Sequence, residues 1–84
     1  MNPDEQSPQS AEMLFGRIVR RHREALGFSQ EKLAELCDLH RTYISQVERG
    51  LKSPSLRSLR LIAAALLTRP SILLREVEEY QEPA

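Results

Sequence analysis

Cysteine is all but missing from this chain. Cys37 stands alone, so no intrachain disulfide can staple the fold, and no Cys/His set has the spacing of a zinc site. A single thiol fits a reducing, cytoplasmic setting. Glycine is confined to Gly16, Gly27 and Gly50, too few and too scattered for a phosphate-cradling loop. No apolar run approaches the roughly 20 residues that a membrane span needs. The opening "MNPDEQSPQS" has neither the basic nor the apolar region of a signal peptide. Neither a membrane partner nor export is therefore expected. An excess of one charge is lacking too, since twelve Lys/Arg are matched by twelve Asp/Glu.

What is present is an ordinary composition, 40% apolar and 29% charged over 84 residues, more helical than sheet-like. A single domain of this length buries only about 60 to 65% of the surface exposed by its unfolded chain. Its stability margin is thin, and a partner subunit would help.

The zero net charge hides an asymmetry. From Arg17 to Arg60 there are ten Lys/Arg against five acids, a surplus of five positive charges. Asp4, Glu5 and Glu12 in front, and Glu76, Glu78, Glu79 and Glu82 behind, cancel it. That is the pattern of one basic face on an otherwise acidic surface. Ten of the twelve cations are Arg, the residue suited to forked contacts with phosphate or guanine.

Helical signals follow one another along the chain. Residues 1–10 combine Pro, Gln, Ser and acids and read as a disordered arm. Ser10 can cap a first helix running to about Leu26, with Leu14, Phe15, Ile18 and Leu26 inward and Gly27 ending it. Phe28 then packs back. Ser29 can cap a second helix, "QEKLAELC", with Leu33, Leu36 and Cys37 as its inward stripe. After "DLH", a third helix begins at Arg41 and closes at Gly50, a position suited to positive φ. Two short helices joined so tightly form a helix-turn-helix, spanning 29–49. Ser55 can cap a fourth helix with Leu56, Leu59, Ile62, Ala63 and Leu66 at helical spacing, and Pro70 can open a fifth, over 70–80. Ile72, Leu73, Leu74 and Val77 are too many apolar groups for one short helix in so small a monomer. They are assigned to a homodimer interface. The fold class is thus all-α, a compact five-helix bundle over 11–80, with a flexible tail at 81–84.

The third helix carries the chemistry. At about 100° per residue, Arg41, Ser45, Arg49, Thr42 and Gln46 fall within an arc of roughly 140°. Tyr43, Ile44, Val47 and Glu48 lie on the other side. The presented arc holds Arg, Thr, Ser and Gln without one Asp, Glu or Lys. Arg41 can fork to guanine, Gln46 can pair with adenine, the Thr42 methyl can touch thymine, and Ser45 can bond a base or a phosphate.

With these residues in place, "SQEKLAELCDLHRTYISQVERGLKSPSLRSLRLIAAAL" (29–66) resembles the Cro/C1-type (XRE) helix-turn-helix family of phage repressors and bacterial regulators. The S-Q-E-x-L-A, R-x-Y-I-S-x-x-E-R-G and P-S-L elements occur in order. The compact length and "RTYIS…ER" also look like restriction–modification controller proteins. The resemblance implies a lambda-repressor-like fold whose third helix enters the major groove of double-stranded DNA. It implies phosphate contacts from Ser29 and Gln30 at the start of the second helix, and backbone-positioning roles for Arg49, Lys52 and Arg57. It also implies a structural ion pair between Arg23 and Glu48. Tyr43 sits at the border of the buried arc, where backbone contact and plain packing both remain open. Asp38 stands where the family commonly has Gly, and His40 where a capping Ser or Thr is usual. "LLTRP" replaces the more usual Gly, Val and Ser before the last helix, which leaves that connection unassigned.

No catalytic constellation is present. Ser29, Ser45, His22, His40 and Asp38 lie on the outside or flanks of short helices, with no third group to orient a base. An enzyme is not expected, nor a cofactor, a metal or a small-molecule ligand. The leading expectation is a homodimeric, sequence-specific DNA-binding transcription regulator on a pseudo-palindromic operator. The alternative is an antitoxin-like protein-binding module whose last helix engages a partner protein.

Overall fold

The computed structural model describes residues 10–81 as five helices. These are α1 (Ala11–Ala25), α2 (Gln30–Cys37), α3 (Arg41–Glu48), α4 (Leu56–Ala65) and α5 (Pro70–Gln81). Apart from Ser10 and Gln81, the expected arm at 1–10 and tail at 81–84 lie outside the described residues.

Three helices begin on serine caps. Ser10, Ser29 and Ser55 each accept a hydrogen bond from the backbone N–H three residues on, at Met13, Lys32 and Ser58, satisfying a donor that the helix itself leaves orphaned. His40 precedes α3 without any side-chain cap.

Helices α1 to α4 all close in one way. A residue with left-handed backbone follows each: Gly27 (φ 73°), Asp38 (φ 56°), Gly50 (φ 76°) and Leu67 (φ 60°). Its N–H and the next one turn back to carbonyls of the last turn, as in Leu51 N–H to the Gln46 carbonyl at 2.9 Å and Thr68 N–H to the Ala63 carbonyl at 2.9 Å. This is the Schellman closure. Glycine takes the conformation freely at two of the four sites. Asp38 and Leu67 take it at a cost of about 1 kcal/mol each. Leu67 thus supplies the turn that "LLTRP" left unassigned.

The core joins all five helices. Leu33, Ile44, Ile62, Leu73, Val19 and Val47 are its largest fully buried side chains. Leu14, Phe15 and Ile18 face inward as expected. The Cys37 thiol, buried between α2 and α4, donates to the Leu61 carbonyl at 3.7 Å. Burial pushes its pKa up to about 11, so it packs as a neutral group.

Several inward assignments are corrected. Leu26, Leu36 and Leu56 are exposed, Leu56 by 74%, because each sits at a helix end or on the flank of its helix, beyond the reach of the neighbours. Phe28, by contrast, turns back on α1 as expected, half-buried with its N–H on the Arg23 carbonyl at 3.1 Å. The converse correction falls on α5. Leu73 and Val77, assigned to a dimer interface, are buried in the chain's own core, one turn apart on the face that α5 packs against the rest of the bundle. Of that set, Ile72 and Leu74 remain outside, 38% and 43% exposed.

Candidate nucleic-acid interface

Helix α3 is anchored from below. Ile44, Val47 and Glu48 are buried, and Tyr43 is half-buried against the core. Gly16 of α1 lies directly beneath the C-terminal end of α3. A Cβ at that position would fall on the carbonyl oxygens of Val47 and Glu48, so only glycine lets the two backbones approach so closely.

The same end of α3 is held by charge. Arg23 donates from Nε to Glu48 Oε2 at 2.7 Å and from Nη2 to Oε1 at 3.0 Å. Its Nη1 donates to the Phe28 carbonyl at 2.8 Å. This is a forked, buried pair, with side chains 11% and 3% exposed. The hydrogen bond to Glu48 raises the Arg23 pKa still further, with burial acting against it.

A third donor reaches the same carboxylate. Gln30 Nε2 donates to Glu48 Oε1 at 3.0 Å. One of the two N–H groups of the Gln30 amide is thus turned inward on a buried acceptor. Neighbouring Ser29 uses its hydroxyl oxygen as the α2 cap, and its O–H proton has no acceptor among the described residues.

The opposite side of α3 is open. Arg41, Thr42 and Arg49 are exposed, while Ser45 and Gln46 are half-buried on the flanks of the presented arc. Arg49 Nε leans on the Ser45 carbonyl at 3.4 Å. Arg41, Thr42, Gln46, Lys52 and Arg57 form no side-chain hydrogen bond or ion pair among the described residues. Their donors and acceptors are therefore not engaged by the protein itself, Arg41, Thr42 and Gln46 on α3, Lys52 in the loop after it and Arg57 on α4.

One cluster escaped the sequence reading. Glu76 of α5 takes Arg21 Nη2 at 2.6 Å and His22 Nε2 at 3.1 Å, both from α1. His22 is half-buried beside this partner. The pairing joins residues more than fifty positions apart, and no local spacing announces it.

Two short helices joined by residues 38–40, the second held by its inner face and offering a polar outer one, define a helix-turn-helix DNA-binding domain. The chain belongs to the Cro/C1-type helix-turn-helix family: the family's helix-turn-helix model matches residues 19–73. It is 51% identical over 63 residues to control protein C.BamHI of Bacillus amyloliquefaciens, covering 74% of this chain and 78% of that protein. The solved restriction–modification controller protein C.AhdI from Aeromonas hydrophila is 43% identical, with a TM-score of 0.71 over 73% of this chain and 92% of its own. Controller protein C.Esp1396I, solved as a tetramer in complex with its natural 35 base-pair operator, is 26% identical. It superposes with a TM-score of 0.76 over 86% of this chain and 95% of its own.

Proposed function

We propose that the protein is a sequence-specific, double-stranded-DNA-binding transcription regulator that acts in the cytoplasm as a homodimer on a pseudo-palindromic operator. One observation carries the reading. Helix α3 is immobilised through Gly16, Ile44, Val47 and Glu48, while Arg41, Thr42 and Gln46 on its other side have no partner among the described residues. The controller solved on its operator supports it. In this reading Arg41, Thr42, Ser45 and Gln46 read base edges in the major groove. Ser29, Gln30, Tyr43, Arg49, Lys52 and Arg57 grip the backbone. Two copies of α3 about 34 Å apart address half-sites one helical turn apart.

The two kinds of contact separate by experiment. Arg41→Ala is expected to weaken operator binding by about 1 to 3 kcal/mol and to relax preference at one base pair. Lys52→Ala is expected to weaken specific and random duplexes alike and to flatten the slope of log K against log salt by about one. Fluorescence anisotropy titrations at several salt concentrations measure both. An equal loss on operator and random DNA for Arg41→Ala as well would make Arg41 a backbone contact and remove its base-reading role.

In the homodimer reading, Ile72 and Leu74 are the members of the assigned set left exposed to meet a second copy. The combined change Ile72→Asp with Leu74→Asp should leave a folded chain that sediments as a monomer and has lost most operator affinity. A wild-type chain that already sediments as a monomer at micromolar concentration would sink the homodimer.

A further inference from the structure

Gln30 is the first residue of α2 and Glu48 the last of α3, so the hydrogen bond between them ties together the two ends of the helix-turn-helix. Its chemistry fixes more than a distance. An ionised carboxylate only accepts, so the amide nitrogen of Gln30, and not its oxygen, must face Glu48. The planar amide then has a set orientation, with one N–H spent on Glu48 Oε1 at 3.0 Å and the second N–H directed elsewhere. That second N–H has no acceptor among the described residues, and Gln30 is only half-buried. Glu48 is itself immobile, since Arg23 holds both of its oxygens.

We infer that Glu48 is a positioning residue for DNA binding: it presets the Gln30 amide so that the remaining N–H is delivered to a phosphate of the duplex backbone. The inference rests on the DNA-binding reading and deepens it. A glutamine on an open surface would have to give up its rotamer freedom on binding; here folding has already removed it. One amide then spans from the base of the recognition helix to the DNA backbone, so phosphate grip and α3 orientation are set together. Gln30 is neutral, which distinguishes its contribution. Losing it removes a hydrogen bond to a charged acceptor but releases no fewer counterions.

The test compares Gln30→Met, of similar length but without donors, with Gln30→Lys, whose ammonium can still donate to both Glu48 and a phosphate. Gln30→Met should bind operator and random duplex about tenfold more weakly, with the salt slope of the wild type. Gln30→Lys should recover binding at low salt, with a slope steeper by about one. In the proton–nitrogen spectrum of the wild-type protein, one Gln30 side-chain proton should stay put when duplex is added while the other moves. Undiminished binding by Gln30→Met, measured where circular dichroism shows it folded, overturns the inference alone, as does a loss confined to the operator. Both amide protons moving together would also overturn it, because the amide would then leave Glu48 to reach DNA. A wild-type protein that binds no duplex removes the regulator reading itself, and the inference with it.

Discussion

Glu48→Ala should unfold much of this protein. Breaking a buried ion pair by removing one partner costs about 3 to 5 kcal/mol, and a chain of this size has only about 4 to 12 kcal/mol to lose. Glu48 is the costlier half to remove. Its carboxylate accepts three hydrogen bonds, two from Arg23 and one from Gln30. Without it a nearly buried guanidinium is left with only the Phe28 carbonyl. Arginine cannot escape by shedding its proton. At about 4 to 8 °C per kcal/mol for a domain of this size, the melting temperature should fall by at least about 12 °C. Replacing both partners by apolar residues of similar volume, Arg23→Met with Glu48→Leu, should recover most of the loss. Thermal melts followed by circular dichroism decide the matter. A fall of only 1 kcal/mol or less would mean that the pair behaves as a solvated surface bridge.

Gly16→Ala should also destabilise, although helix propensity says the opposite. In the interior of an exposed helix, exchanging Gly for Ala gains about 1 kcal/mol. Here the new methyl group would meet the carbonyl oxygens of Val47 and Glu48, and backbone cannot rotate aside as a side chain would. Overpacking of this kind costs about 1 to 3 kcal/mol, and relief requires α1 and α3 to separate. That separation would also stretch the Arg23–Glu48 fork. Urea denaturation should show a lower midpoint, with DNA affinity reduced even where the variant is folded. A raised midpoint would mean that the helices have room that the close approach denies them.

Most of the architecture was legible in the sequence, because the helix boundaries are written in local chemistry. Serines at 10, 29 and 55 announce where three helices start, and Gly27 and Gly50 where two of them end. Asp38 and Leu67 perform the same task as those glycines without the signature. They adopt left-handed backbone because the chain on either side requires a closure there, a tertiary demand that overrides residue preference. Apolar spacing identifies α5 but not which of its faces meets the bundle, which is why Leu73 and Val77 read as interface residues although they are core. The presented side of α3 followed from helical geometry, yet the inward turn of Gln30 did not. It depends on where the end of α3 lands, eighteen residues later in the chain. Glu76 with Arg21 and His22 was out of reach for the same reason.

The residues that hold α3 and those that face outward from it are separate sets. Gly16, Arg23 and Glu48 carry the mount, whereas Arg41 and Thr42 contribute nothing to it. Substitutions at the exposed Arg41 and Thr42 should therefore leave folding almost untouched, whereas drift at the mount should cost stability whatever else it changes.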